Sequence, residues 1–329
     1  MKQFFQAVYG NEKTKHLIGH DILDKKQHHA YILEGPAGSG KHLLAHEMAK
    51  ALVCEQNTNA LPCGICPHCK KIDAQSYTDI LFINTGDKAT ISVETVRDAL
   101  STLSYAPDEG NYKIYIIEDA EKMTVQAQNA LLLSLEEPPA YAVFLLLVTD
   151  AAALLETIRS RAVTFSMEIF STEAVFTFLK QSSITASQQK LREAASVSGG
   201  CIGAAKDFLS GEDGTAVLSL AAQEWINLLC TGTIAEALIY CSNMKYSRVE
   251  YDTFLNCAMA AVRDRIAAKL DSKDLLLYQN ETQIQNVSAN TLGKLSELYD
   301  ELYTAREEIV HANASAYPVL CTLTEKHFS

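Results

Sequence analysis

A glycine-rich segment between a strand-like stretch and a helix-like stretch constrains the fold more than any other feature of the sequence. The run AYILE at Ala30–Glu34 is followed by GPAGSGK, which ends at Lys41, and then by an apolar-periodic stretch. A strand, a loop with the spacing G-x-x-x-x-G-K and a helix form the setting in which backbone N–H groups bind phosphate. The segment therefore predicts a P-loop, whose candidate phosphate-binding residues are Gly35, Gly38, Gly40 and Lys41.

Strand-like and helix-like segments alternate through the first half of the chain, which predicts an α/β core with a parallel sheet. Each strand is almost continuously apolar, as expected for a sheet that is covered by helices on both faces. The expected strands are Ala30–Glu34, Asp79–Asn84, Lys113–Glu118, Val143–Thr149 and Ala162–Met167. The expected helices are Asn11–Lys25, His42–Cys54, Ser92–Leu103 and Thr124–Glu136.

The pattern changes after about Met167, where strand-like runs give way to amphipathic helical stretches. Glycine-containing breaks near 198–200 and 210–214 divide this region. We expect three domains: a P-loop-type core at 1–167, a small helical domain at 168–210 and a larger all-helical domain at 211–329. The polar run Gln279–Asn290 is expected to form a loop in the last of them.

Two departures from the P-loop pattern affect hydrolysis. His42 stands where a serine or threonine hydroxyl would hold Mg²⁺, and magnesium prefers oxygen ligands. Glu118 and Asp119 end a strand in the reverse of the Asp-Glu order found in P-loop ATPases, and a displacement of about 1 Å can cost about 100-fold in rate. We predict that Mg²⁺-dependent hydrolysis is lost. The sequence leaves open whether ATP or ADP occupies the loop and whether these acids only end a strand.

Four cysteines between the P-loop helix and the second strand form a candidate metal site. They have the spacing C-x8-C-x2-C-x2-C, and four thiolates close a tetrahedral structural zinc site. The predicted ligands are Cys54, Cys63, Cys66 and Cys69. The alternatives are a disulfide, which a reducing cytosol disfavours, and a C-x-x-C redox pair, which does not account for four cysteines. His68 is not a predicted ligand, and the segment could serve partner docking or loop stapling equally well.

Several motifs occur together in one order along the chain. They are HHAYILEGPAGSGK at His28–Lys41, the four-cysteine segment, KIYIIEDAEKM at Lys113–Met123, QAQNALLLSLEEPP at Gln126–Pro139 and TIRSRA at Thr157–Ala162. Together they resemble the AAA+ clamp-loader subunits of bacterial DNA polymerase III, the delta-prime type above all. The resemblance covers residues 1–210 and extends more loosely to the segment around Asn313. It implies an AAA+ core with a zinc-binding insertion at 54–69, a helical lid and a C-terminal oligomerisation (collar) domain.

The resemblance also implies roles for particular residues. Arg161 matches the arginine finger that is offered to ATP on a neighbouring subunit, with Ala162 in place of the usual cysteine. Arg159 could instead make a structural ion pair, and both arginines could simply be surface residues at a helix end. Ala204 stands where a motor subunit carries a phosphate-sensing arginine. These departures imply a non-hydrolysing subunit that assembles with motor and delta-type subunits, the sliding clamp and, through the complex, primer-template DNA.

Composition weighs on the alternatives. A formal net charge of -12 disfavours the hypothesis of an autonomous zinc-dependent DNA-binding protein, because phosphate neutralisation needs clustered basic residues. An active ATP-hydrolysing clamp-loader subunit is the other alternative. No apolar run is long enough for a signal peptide or a membrane span, so we expect a cytoplasmic protein with no membrane partner. The pairs His28-His29 and Glu136-Glu137 are expected to be packing residues and a solvated helix end, respectively.

Overall fold

The computed structural model describes residues 3–55, 60–86, 88–182, 184, 186–210, 215–270, 291–312 and 314–328. The chain forms two compact units, Met1–Glu168 and Ile169–Ser329. The first unit ends one residue after the predicted core at 1–167, and the predicted division into three domains stays a prediction. The loop expected at Gln279–Asn290, the break at 211–214 and Asn313 lie outside the described residues.

The first unit is built on a parallel five-stranded sheet, which confirms the predicted α/β core. The strands of the unit are β1 (Gln3–Phe4), β2 (Ala30–Glu34), β3 (Ala60–Leu61), β4 (Ile80–Ile83), β5 (Lys113–Ile117), β6 (Ala142–Val148) and β7 (Val163–Ser166). The large sheet has the order β4-β5-β6-β2-β7, and β1 pairs with β3 in a small separate parallel sheet. Each of the five strands expected from the sequence is present, with ends shifted by one residue at most.

The helices of the first unit cover the sheet. They are α1 (Glu12–Leu23), α2 (Lys41–Val53), α3 (Pro67–Asp73), α4 (Val93–Ser101), α5 (Val125–Glu136) and α6 (Glu156–Arg159). Ser92 and Thr124 begin α4 and α5, since their side chains accept hydrogen bonds from the N–H groups of Thr95 and Ala127. The sequence analysis placed the ends of α1, α2, α4 and α5 within two residues and did not predict α3 or α6.

Both faces of the central strand β6 are buried, which explains its unbroken apolar sequence. Val143, Leu145 and Leu147 pack with α2 residues in one apolar cluster, because alternate residues of a strand point to the same face. The residues between them, Phe144, Leu146 and Val148, pack with α4 and α5 residues in the opposite cluster. The two clusters fix the sheet between two layers of helices.

The regular structure in the described residues of the second unit is all helix. Its helices are α7 (Thr172–Gln181), α8 (Gln188–Val197), α9 (Ile202–Ser210), α10 (Thr215–Thr231), α11 (Ile234–Asn243), α12 (Arg248–Lys269), α13 (Leu292–Arg306) and α14 (Ala316–Phe328). A small core joins α7, α8 and α9, and a larger one surrounds Trp225 and Phe254, whose ring centroids are 5.6 Å apart. The predicted division of this region at residue 210 into a small and a larger helical domain stays a prediction. None of the described helices has the length and apolar character needed to cross a membrane.

A reciprocal pair of hydrogen bonds closes the first unit. The Asn11 backbone N–H donates to Glu168 Oε2 at 2.7 Å, and the Glu168 backbone N–H donates to Asn11 Oδ1 at 2.8 Å. Asn11 is buried and has a left-handed backbone, with φ of 55°, directly before α1. Asparagine tolerates this conformation better than most residues, so this one side chain serves both the turn and the closure.

We expect Asn11→Gly to lower the free energy of unfolding by about 1 kcal/mol, because the Glu168 N–H loses its acceptor. Asn11→Ala should cost about 1 kcal/mol more, since alanine also bears the cost of the left-handed backbone. Urea titration followed by circular dichroism measures both. Asn129→Ala, on the exposed face of α5, is the matched control and should change stability by less than about 0.5 kcal/mol. Equal stability of the Asn11→Ala and Asn129→Ala variants would contradict the assignment.

Candidate functional site

The predicted P-loop residues lie together between β2 and α2. Gly38 and Gly40 have φ of 73° and 94°, a left-handed conformation that favours glycine. At Gly35 the constraint is space, because a Cβ atom there would lie 2.9 Å from Ser39 Oγ. The loop thus has the local geometry that its sequence pattern predicted, and α2 begins at Lys41 with Gly40 as its N-cap.

Polar groups inside the loop face one another. The Lys41 side chain is buried, and its Nζ donates hydrogen bonds to the carbonyl oxygens of Gly35 and Pro36, the latter at 3.0 Å. Ser39 is 8% exposed, and its Oγ has no hydrogen-bond partner among the described residues. The N-terminus of α2 adds backbone N–H groups that no side chain caps.

His42 contacts the acid at the end of β5. Its Nδ1 lies 3.3 Å from Glu118 Oε1, and Asn84 Nδ2 donates a hydrogen bond to Glu118 Oε2 at 3.1 Å. The His42 contact lowers the pKa of Glu118 below its ordinary value, and the Asn84 bond adds to this effect against the opposing effect of burial. Both oxygens of Glu118 are therefore bound by side chains of the protein.

The neighbouring acids also have partners within the chain. Asp119 has a left-handed backbone, and its Oδ2 accepts a hydrogen bond from Lys122 Nζ at 2.9 Å. Glu121 Oε1 accepts a hydrogen bond from the backbone N–H of Thr149, which follows β6, at 3.1 Å. Asp119 and Glu121 therefore each accept a hydrogen bond from another residue of the chain.

Three residues of this edge escaped the sequence analysis. Asn84 follows β4 and binds Glu118, and Thr149 follows β6 and binds Glu121. Glu34 ends β2 and accepts hydrogen bonds from the Ala151 N–H at 2.8 Å and from Ser166 Oγ at 2.9 Å. Each lies at the carboxyl end of a strand, where ligands of open parallel sheets bind, and that position is the signal that could have identified them.

Arg161 lies just after α6 and is half-buried. Its Nη2 is 2.8 Å from Glu136 Oε1 at the end of α5, and its Nη1 donates to the Thr157 carbonyl oxygen at 2.9 Å. A structural ion pair was an alternative for Arg159, which is exposed in the structure. The ion pair described here is formed by Arg161 instead. Glu136 ends a helix as expected, and it also binds this arginine.

The four predicted metal ligands form one cluster. One ligand atom from each of Cys54, Cys63, Cys66 and Cys69 lies within 4.8 Å of all the others, and none of these four described residues forms a disulfide. The cluster could hold a metal ion, because four sulfurs at such distances can surround one tetrahedral centre. His68 lies outside it, with Nε2 2.8 Å from Glu55 Oε1.

Backbone N–H groups stabilise negative charge in this cluster. The N–H groups of Cys63, Cys66 and Cys69 lie 3.4–3.5 Å from the sulfurs of Cys54, Cys63 and Cys66, respectively. Burial raises the pKa of Cys63, but hydrogen bonds from the N–H groups of Ile65 and Cys66 and from the side chains of Cys54 and Cys66 outweigh it and bring the pKa to about 7. Burial raises the pKa of Cys69 above its ordinary value, so the local fold favours the thiolate that a metal needs at Cys63 and not at Cys69.

Three contacts attach the cysteine segment to the rest of the first unit. β3, just before Cys63, pairs with β1 near the N-terminus. Ile72 of α3 is buried in the α2-side apolar cluster, and Lys50 of α2 donates a hydrogen bond to Asp73 at 2.9 Å. Only part of the segment faces solvent, as at Ile65, which is 62% exposed.

These features define a P-loop-type α/β protein with a four-cysteine insertion. Residues 10–171 match the family model described as "DNA polymerase III, delta subunit". Over these residues the chain is similar to that family. The resemblance to DNA polymerase III subunits inferred from the motifs is confirmed.

Individual relatives are also named as DNA polymerase III subunits. The chain is 35% identical over 178 residues to DNA polymerase III subunit delta' of Pseudomonas aeruginosa, a match covering 54% of each protein. It is 27% identical over 335 residues to subunit tau of Bacillus subtilis, covering 99% of this chain and 58% of that protein. A gamma subunit-related protein of Thermotoga maritima is similar in structure, with a TM-score of 0.47, 19% identity and coverage of 96% and 97%. The chain spans 24–58% of the length of the curated relatives it matches.

The His42 contact predicts a measurable change at Glu118. In His42→Ala we expect the pKa of Glu118 to rise, because the largest influence that lowers it is removed. Side-chain carboxyl chemical shifts, followed by nuclear magnetic resonance through an acid titration, report that pKa. His46→Ala, one turn further along α2 and directed at Ile72, should leave Glu118 unchanged. An unaltered Glu118 titration in His42→Ala would contradict the contact.

Proposed function

We propose that this chain is a non-hydrolysing subunit of the bacterial DNA polymerase III clamp loader, in the delta-prime role. The observation that carries the proposal is the state of the acids beside the P-loop. His42 and Asn84 bind Glu118, and Lys122 binds Asp119, so these carboxylates have protein partners where a motor would hold metal and water. The loop retains its architecture, and the hydrolytic groups are engaged elsewhere.

Arg161 is the residue that we assign to catalysis on a neighbouring subunit. A guanidinium supplied in trans stabilises charge on the transferred phosphoryl group. Its ion pair with Glu136 leaves the side chains 35% and 45% exposed, and such surface pairs contribute at most about 1 kcal/mol. Exchanging Glu136 for a neighbour's phosphate therefore costs little.

The proposed partners follow from the family. Motor and delta-type subunits would complete a hetero-oligomeric ring in the cytoplasm, and the C-terminal helices from α10 to α14 would form its collar. The sliding clamp and primer-template DNA would be contacted through the complex. The net charge of -12 supports shared rather than autonomous DNA contact.

The four cysteines are proposed to hold a structural zinc ion. Four sulfur donors close the tetrahedral shell, which leaves no open position for substrate. Zinc would offset the ordering cost of a segment whose described residues form regular structure only in the short α3 and β3.

An active ATP-hydrolysing subunit is the second candidate, and the relatives named tau or gamma rather than delta' favour it. The match that extends over 99% of this chain is to a subunit named tau rather than delta'. Under this candidate, isolated chain hydrolyses ATP, and Lys41→Ala damages turnover more than Arg161→Ala. Under the leading proposal, isolated chain shows negligible turnover.

In a reconstituted complex, we expect Arg161→Ala to lower DNA- and clamp-stimulated ATP turnover by at least about tenfold, because a neighbour's transition state loses a positive charge. Steady-state ATPase assays measure the effect, and size-exclusion chromatography checks that assembly survives. Arg159→Ala is the matched control, two residues earlier and exposed, and should retain turnover. Equal loss in both variants, or none in either, would reject the finger assignment.

Metal analysis of the purified chain should find about one zinc per molecule. Cys66→Ser should lose the zinc and expose residues 54–69 to protease while the α/β core stays folded. Cys321→Ser, outside the cluster, should keep the metal. A metal-free chain with an equally protected cysteine segment would remove zinc from the proposal.

A further inference from the structure

The contact between His42 and Glu118 has a consequence for what the P-loop can bind. A divalent cation at such a loop is held by the hydroxyl after the lysine and by an acid at the end of a neighbouring strand. Here the first position offers an imidazole, and both oxygens of the acid are bound, by His42 at 3.3 Å and by Asn84 at 3.1 Å. Asp119, the next acid along the chain, forms an ion pair with Lys122.

The phosphate half of the same loop is intact. α2 is a helix of 13 residues whose N-terminal N–H groups are uncapped, and its field favours an anion. Ser39 Oγ is buried, has no partner among the described residues and lies against Gly35 inside the loop. A buried hydroxyl without a partner is costly, and a phosphate oxygen would satisfy it.

Positive charge is also present at the loop. Lys41 Nζ is bound to the carbonyl oxygens of Gly35 and Pro36, neutral acceptors that a phosphate oxygen would outcompete as a charged acceptor. The His42 imidazole stands at the helix start beside it, in the place of the metal-binding hydroxyl, and its Nδ1 lies 3.3 Å from Glu118 Oε1. Lys41 therefore supplies the positive charge for a bound phosphate, while His42 holds the acid that a metal would need.

We infer that the loop binds the phosphates of a nucleoside diphosphate or triphosphate without a divalent cation. His42 is the residue responsible, because it takes the place of the metal-binding hydroxyl and holds Glu118. The inference rests on the proposed non-hydrolysing function and gives that site a ligand class and a metal requirement. A nucleotide held in this way is a structural ligand, because no metal is present to position water or to draw charge from the leaving phosphate.

The test compares ADP binding to the full chain by titration calorimetry in excess MgCl₂ and in excess EDTA. We expect the two dissociation constants to agree within about twofold. In His42→Ser, which supplies a hydroxyl and releases Glu118, EDTA should weaken binding at least about tenfold relative to magnesium. His46→Ser, the same change on the α3-facing side of α2, should behave as the unaltered chain.

Three results would overturn the inference. They are no detectable ADP binding in either condition, binding by the unaltered chain that magnesium strengthens tenfold or more, and a His42→Ser variant that ignores EDTA. Circular dichroism verifies that both variants fold. An ATP turnover assay on the same samples tests the proposed function separately, since hydrolysis would refute the silent-subunit role whatever the ADP titrations give.

Discussion

Burial of the parallel sheet on both faces is the constraint on which the rest of the first unit depends. β6 lies at the middle of the sheet with its side chains divided between two apolar clusters, and all five strands run parallel, so crossovers that carry helices connect them. The carboxyl ends of the strands are thereby brought to one edge. That edge carries Glu34, Asn84, Glu118 and Thr149, and the P-loop follows β2 at the same edge. These polar residues are neighbours because the parallel strands that precede them all end there.

At this edge the acids that follow β5 accept hydrogen bonds from side chains of the same chain. A carboxylate that accepts an imidazole or amide N–H at about 3 Å has its charge compensated locally, and a metal would have to displace both partners. The cysteine cluster is the opposite case, since its N–H donors lower the pKa of Cys63 without filling the space between the sulfurs. Both Glu118 oxygens beside the P-loop are bound by side chains of the protein. The cysteine cluster, in contrast, could hold a metal ion.

The sequence was sufficient for features with local causes. Apolar runs located the five strands, Ser92 and Thr124 marked helix starts, and cysteine spacing identified a cluster that folding brings together. Long-range pairing of polar groups was not accessible in this way. The partner of Arg161 is Glu136, and the partner of His42 is Glu118, 76 residues away. Such pairs depend on where strands and helices meet in space, and α3 escaped prediction because it is short and stabilised by packing on α2.

Helix α2 joins the two sites directly, since it starts at Lys41 in the phosphate loop and its C-cap is Cys54 in the sulfur cluster. Over 13 residues it is a rod about 20 Å long. Adding or deleting one residue within it would turn Cys54 by about 100° around the helix axis relative to the loop. The length of this helix therefore sets how the cysteine segment is placed and rotated relative to the loop, whereas an exchange of its exposed side chains leaves that placement unchanged.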